Sequence, residues 1–177
     1  MCDHTTPTAA GLMREPDGFT AFANAQSRSL FGTAWLLTGD WHTSEDLVQE
    51  ALGRMYRYWH RIDRIENPAA YAHTVLVRAF LSQRRRRSST ERPVRDLPDA
   101  PEREPDHALR ITLADALATL SKRDRAVLVL RYLEDRSVEQ VAADLDRSPG
   151  AIRVQSMRAL SRLRDVLGED TTELVHP

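Results

Sequence analysis

From residue 19 to 87, and again from 109 to 167, apolar side chains recur at helical spacing, so the chain reads as two runs of helix. In the first run Phe19, Phe22, Leu30, Ala34 and Leu37 predict an opening helix that breaks near Thr38-Gly39-Asp40 and returns as a hairpin. Thr43 and Asp46 offer a capping box for the second helix, whose apolar stripe is Val48, Ala51, Leu52, Met55 and Trp59. Glu45 and Asp46 then fall in its first turn, where the helix dipole favours acids. A third helix starts with Asn67 as cap and Pro68 at the first position, where proline loses no needed hydrogen bond. Ala72, Val75, Leu76, Ala79 and Phe80 point inward from it, while Thr74, Arg78, Leu81 and Arg85 point out.

The second run ends in a more specific pattern, two amphipathic helices separated by a tight polar turn between Tyr132 and Leu163. Ser137 and Gln140 have capping-box spacing, and Val138, Val141, Ala142 and Leu145 give the helix they start one apolar face. Asp146 and Arg147 make the turn, and Ser148-Pro149 starts the second helix. Ile152, Ser156, Ala159, Leu160, Leu163 and Leu167 face inward on that helix. Val154, Met157, Arg158 and Ser161 are left outward, flanked by Arg153, Gln155 and Arg162. This layout reads as a helix-turn-helix that offers its second helix to a DNA groove. Arginine can fork onto guanine, glutamine can pair with adenine, and Val154 or Met157 can touch a thymine methyl. Each good bidentate contact is worth roughly 1–3 kcal/mol of discrimination. An arginine-coated solvent face is the alternative, but two apolar residues in that face make little sense without a partner.

Between the two runs, residues 91–107 hold Pro93, Pro98, Pro101 and Pro105, more acids than bases and few apolar residues, which is the composition of a stiff, extended linker. The fold class is therefore all-α, with two small helical domains at residues 18–90 and 108–168. A disordered N-terminus (1–17) and a disordered C-terminal tail (169–177) flank them. At 177 residues, 41% hydrophobic and 29% charged, the chain has the composition of a soluble globular protein. Its net charge of −1 hides segregation, with arginines gathered at residues 84–87 and 123–164 and acids at 40–50 and 96–106. Such separation implies more than one kind of partner.

Cys2 is the only cysteine and the six histidines show no metal spacing, so neither a disulfide framework nor a metal or other cofactor is expected. No phosphate-binding glycine loop and no nucleophile with a placed base is visible, which argues against an enzyme. No apolar run approaches bilayer length and no signal peptide opens the chain, so a cytoplasmic protein without membrane insertion is expected. Residues 59–66 form a polar loop with aromatic and basic groups beside the basic third helix, a combination suited to single-stranded nucleic acid. Trp59 and Tyr71 are expected in the core.

The segment Glu45-Asp46-Leu47-Val48-Gln49-Glu50-Ala51, followed by Asn67-Pro68-Ala69-Ala70-Tyr71 and a basic helix ending, resembles region 2 of the bacterial sigma-70 family. The run from Leu120-Ser121-Lys122-Arg123-Asp124-Arg125 through the helix-turn-helix resembles region 4. Both regions joined by a short linker are similar to the extracytoplasmic-function sigma factors, and Leu81-Ser82-Gln83-Arg84-Arg85-Arg86 is similar to their actinobacterial SigE-like branch. The resemblance implies a dissociable subunit, monomeric when free, that makes RNA polymerase promoter-specific. It implies that Asp46, Gln49, Glu50 and Arg54 dock on the β′ clamp helices of core polymerase, with the β flap as a further contact. Arg61, Asp63, Arg64, Glu66, Asn67, Thr74, Arg78 and Arg85 would engage the melted nontemplate strand of the −10 element. Arg153, Val154, Gln155, Met157, Arg158 and Arg162 would read the −35 element as duplex. Location on the nucleoid follows, and an anti-sigma partner is admitted without being identified. The rival reading is a dimeric helix-turn-helix repressor or activator.

Overall fold

The computed structural model describes residues 18–83 and 106–173. Residues 1–17, the arginine run that includes Arg85, and nearly all of the acidic linker lie outside the described residues. Every element within them is helical. The N-terminal half comprises α1 (Phe19–Thr38), α2 (Trp41–Tyr58), a 3-10 turn (Trp59–Arg64) and α3 (Pro68–Ser82). The C-terminal half comprises α4 (Asp106–Ala118), α5 (Lys122–Leu128), a π-helical turn (Val129–Leu133), α6 (Val138–Asp144) and α7 (Pro149–Glu173).

Local chemistry sets these boundaries, and at α2 it differs from the sequence expectation. Gly39 turns the chain with φ 70°, a left-handed conformation that side chains disfavour, and its N–H closes on the Trp35 carbonyl. Asp40 is thereby left extended, and its carboxylate accepts from the Thr43 N–H at 2.8 Å and the Thr43 hydroxyl at 2.6 Å. Asp40 is thus the cap, α2 begins at Trp41, and Glu45 and Asp46 lie beyond the first turn. The other caps match expectation. Asn67 Oδ1 accepts from the Ala70 N–H at 3.0 Å, Ser137 and Gln140 close a reciprocal box, and Ser148 Oγ accepts from the Ala151 N–H at 3.2 Å. At the other end α7 continues through Glu173, into the segment expected to be a tail, because no proline follows Gly168 until Pro177.

In the N-terminal half, Leu30, Ala34 and Leu37 of α1 pack with Leu47, Ala51 and Met55 of α2 and Leu76, Ala79 and Phe80 of α3. Trp59 is buried, its ring 5.2 Å from Phe19 and 4.8 Å from Phe22, and Tyr71 packs half-buried against the same core. In the C-terminal half, Leu117, Val127, Leu130, Val141, Ile152 and Ala159 are fully or nearly fully buried. The halves do not stand apart. α1 lies along α4 and the π-helical turn, α3 lies on α5, and the buried side chains form one cluster across the boundary.

That contact changes α3. His73, Thr74 and Val77 are buried together with Ala72, Val75 and Leu76, so the helix is covered on both flanks. Thr74, expected to point out, is only 3% exposed because the C-terminal half sits on it. Arg125 marks the same boundary from the other side. Its guanidinium donates to the carbonyls of Leu37, Ala118 and Leu120, joining the end of α1 to the end of α4, and lies 5.8 Å from the Phe80 ring. Burial lowers its pKa from the usual arginine value, as expected for a cation answered by carbonyl dipoles and no carboxylate. Nearby, Glu134 Oε1 accepts from His73 Nδ1 at 2.9 Å and from the Thr33 hydroxyl at 2.7 Å.

Two outcomes follow from this boundary. Arg125→Met leaves carbonyl groups of Leu37, Ala118 and Leu120 without their donor, at a cost of about 1–3 kcal/mol for each buried group left unsatisfied. A urea melt should therefore show a clear loss for Arg125→Met and almost none for the exposed Arg123→Met. Glu134 supplies a pH signature. Burial raises its pKa, but the His73 and Thr33 hydrogen bonds and the positive charges of His73 and Arg136 outweigh that, and the net shift is downward. A depressed carboxyl stabilises the fold fully above the ordinary carboxylate range and loses that contribution as the pH falls through its lowered value. The melting-temperature gap between wild type and Glu134→Gln should accordingly be largest near neutral pH and shrink on acidification.

Candidate nucleic-acid interface

The outer face of α7 is set by the turn that precedes it. Asp146 takes φ 53°, and the Arg147 N–H returns to the Ala142 carbonyl at 2.8 Å, so α6 and α7 are fixed relative to each other. Ile152, Ser156, Ala159 and Leu163 then face the core. Val154 is 45% exposed and Met157 72%, with the exposed Arg158 beside them, as the helical spacing predicts. An apolar pair standing in water next to a guanidinium is chemically matched to thymine methyls and a guanine edge.

The flanking residues are held by acids that the sequence pattern did not single out. Asp124, in the first turn of α5, accepts from Gln155 Nε2 at 2.9 Å and from the Arg162 guanidinium at 3.1 Å. Gln155 and Arg162 are two turns apart on one flank of α7, so a single carboxylate orients both. Glu139 of α6 pairs with Arg153 at 2.8 Å across the turn. Ser121-x-x-Asp124 is a capping-box spacing, and the Ser121 hydroxyl accepts from the Asp124 N–H at 3.2 Å. That signal locates the start of α5 but not the reach of Asp124 to α7.

On the other half, the polar face of α2 carries exposed Asp46 and Gln49, with Glu50 and Arg54 half-buried. Glu50 and Arg54 pair at 2.6 Å, the i,i+4 contact expected from their spacing. Arg61, Asp63, Arg64, Glu66 and Asn67 are all exposed around the 3-10 turn and the start of α3. They form one continuous polar rim. Thr74 and Arg78 do not join it freely. Arg136 donates to the Thr74 hydroxyl at 2.6 Å and to the Ala70 carbonyl, and pairs with Asp144. Arg78 is exposed but its Nε donates to the Asp144 carbonyl at 2.7 Å. Arg85 lies outside the described residues.

Among the described residues no group of histidine, cysteine and acidic side chains could hold a metal ion, and no helix is long and apolar enough to cross a membrane.

Comparison with known proteins fits these two polar surfaces. The family profile described as Sigma-70 region 2 matches residues 22–90, and that described as Sigma-70, region 4 matches residues 110–163. The chain is 34% identical over 151 residues to the RNA polymerase sigma-E factor of Streptomyces coelicolor, covering 84% of this chain and 85% of the relative. It is 33% identical over 171 residues to the ECF RNA polymerase sigma factor SigL of Mycobacterium tuberculosis, covering 90% of this chain and 91% of the relative. In fold it is similar to the sigma factor RpoE of Bartonella quintana, solved in complex with the anti-sigma factor NepR. The TM-score is 0.68 at 24% identity, over 86% of this chain and 98% of that one. With both regions present in order and relatives matched over most of their length, the chain belongs to the sigma-70 family of RNA polymerase sigma factors, among its extracytoplasmic-function members.

Proposed function

We propose that this chain joins core RNA polymerase through the polar face of α2 and selects promoters with two separate surfaces. The observation that carries the reading is the outer face of α7, where Val154, Met157 and Arg158 stand exposed on a helix whose flanking side chains are already anchored. Anchoring matters because a side chain held in place loses less freedom when it meets a base. On this reading Arg153, Val154, Gln155, Met157, Arg158 and Arg162 face the upstream element as duplex. The rim from Arg61 to Asn67, with Thr74, Arg78 and Arg85, receives the downstream strand after melting. Extruding a base costs a few kcal/mol, which the rim's charge and hydrogen bonds must offset.

Asp46, Gln49, Glu50 and Arg54 supply the docking surface for the β′ clamp helices, and the C-terminal half meets the β flap. Each contact is modest alone. Held on one polymerase, the second promoter contact becomes intramolecular, and tethering raises its effective concentration. The chain itself carries out no chemistry. It works on the nucleoid in the cytoplasm, is monomeric when free, and is a target for an anti-sigma protein.

Run-off transcription with purified core enzyme tests the reading. Defined start sites should appear only when the chain is added, whereas a stable dimer that ignores core and binds a palindrome would establish the regulator reading instead. At the mapped upstream element, Arg158→Ala should change which base is preferred at one position, and equal losses on every variant would remove Arg158 from base reading. Asp124→Asn should weaken duplex binding without altering base preference, because it frees Gln155 and Arg162 from their shared anchor. A fluorescence titration over the set of single-base variants separates the two patterns.

A further inference from the structure

The C-terminal half does more than carry the duplex-reading helix, because it also covers the flank of α3 that the functional reading assigns to the melted strand. The covering segment is short. Glu134 and Arg136 flank Asp135, whose φ of 49° reverses the chain between the π-helical turn and α6. Backbone bonds hold the segment in place, from the Glu134 N–H to the Val129 carbonyl at 3.0 Å and from the Arg136 N–H to the Leu130 carbonyl at 3.1 Å. Arg131 also donates to the Arg136 carbonyl. Two charged side chains are thus presented from a rigid base.

Both enter the N-terminal half. Glu134 takes the His73 ring and the Thr33 hydroxyl, bridging α1 and α3. Arg136, 8% exposed, takes the Thr74 hydroxyl and the Ala70 carbonyl on α3 while staying paired with Asp144 of α6. Arg78 then closes the seam on the Asp144 carbonyl, and Lys122 donates to the Gln83 carbonyl at 3.1 Å at its far end. From Ala70 to Gln83, α3 is engaged along its length by the other half. The outer face of α7 is untouched by this contact, with Met157 72% exposed.

From this one-sided arrangement we infer that the free chain is self-occluded, with the Glu134–Arg136 segment acting as a latch that shuts the strand-binding flank of α3 and leaves the duplex-reading helix open. The inference rests on the assignment of α3 to the melted strand. A latch built from charged and hydroxyl groups suits a reversible contact, since water can satisfy each group after opening, as it could not for an apolar seam. Core polymerase opens it by holding the two halves apart, which requires only that core bind the open form better than the closed one. The apparent affinity of the free chain for melted strand is reduced by the fraction of molecules that are open.

The test uses the full chain with Cys2 replaced by serine and cysteine labels introduced at the exposed Arg28 of α1 and Arg164 of α7. Distances between the labels are read by double electron-electron resonance, alone and with core polymerase. The free chain should give one short, narrow distribution, and core should move it to longer distances. In parallel, binding of the nontemplate-strand oligonucleotide from a promoter mapped by run-off transcription is read by fluorescence anisotropy without core. Glu134→Gln with Arg136→Gln should tighten that binding by about tenfold or more, while duplex upstream DNA binds both proteins equally. Should the double variant misfold by circular dichroism, the wild-type distance change decides alone. An unchanged distance on core binding, or equal strand binding by wild type and a folded variant, overturns the latch. Absence of core-dependent run-off transcripts instead overturns the functional reading on which it rests.

Discussion

A helix buried on both flanks cannot at the same time present one of them to nucleic acid, and α3 is under that constraint. Its apolar flank, with Leu76, Ala79 and Phe80, is committed to the core of the N-terminal half. Its other flank, with His73, Thr74 and Val77, is covered by the C-terminal half through polar contacts from Glu134 and Arg136. The first commitment is permanent, because exposing those side chains returns large apolar area to water. The second involves groups that water can satisfy. The same helix therefore has one fixed side and one negotiable side.

The remainder of the architecture divides along that line. Asp40, Asn67, Ser137 and Ser148 cap helices within one half or the other, and they set each half's internal geometry. Asp124 and Glu139 orient the flanks of α7 without reaching the N-terminal half. By contrast Arg125, Glu134, Arg136 and Arg78 all cross the boundary, and all do so with charge or hydrogen bonds. Contacts within each half preserve a reading surface, and contacts between halves govern whether the downstream surface is available. The membership of the sigma-70 family gives both kinds of contact a use, since its members must be stable alone and competent on polymerase.

Periodicity and capping chemistry made the helices legible in the sequence, along with the apolar interiors of both halves and the outer face of α7. Those features are local. The start of α2 was misplaced because Thr43 and Asp46 have capping-box spacing while Asp40, next to the left-handed Gly39, captures the Thr43 N–H first. The boundary between the halves was not legible. Thr74 has outward spacing on α3, Glu134 and Arg136 look like solvated loop residues, and Arg125 looks like one more member of a basic patch. Their partners lie 62, 66 or 88 residues away in sequence, beyond the reach of any periodic pattern.

His73 reports directly on the negotiable side of α3, because it is 4% exposed and its ring is reached only when Glu134 withdraws. Hydroxyl-radical footprinting with mass spectrometry can follow oxidation of that one imidazole in the free chain and in the complex with core polymerase. The account predicts protection in the free chain and marked oxidation once core is bound. A ring already reactive in the free chain, or one still protected in a complex that starts transcripts, would contradict it.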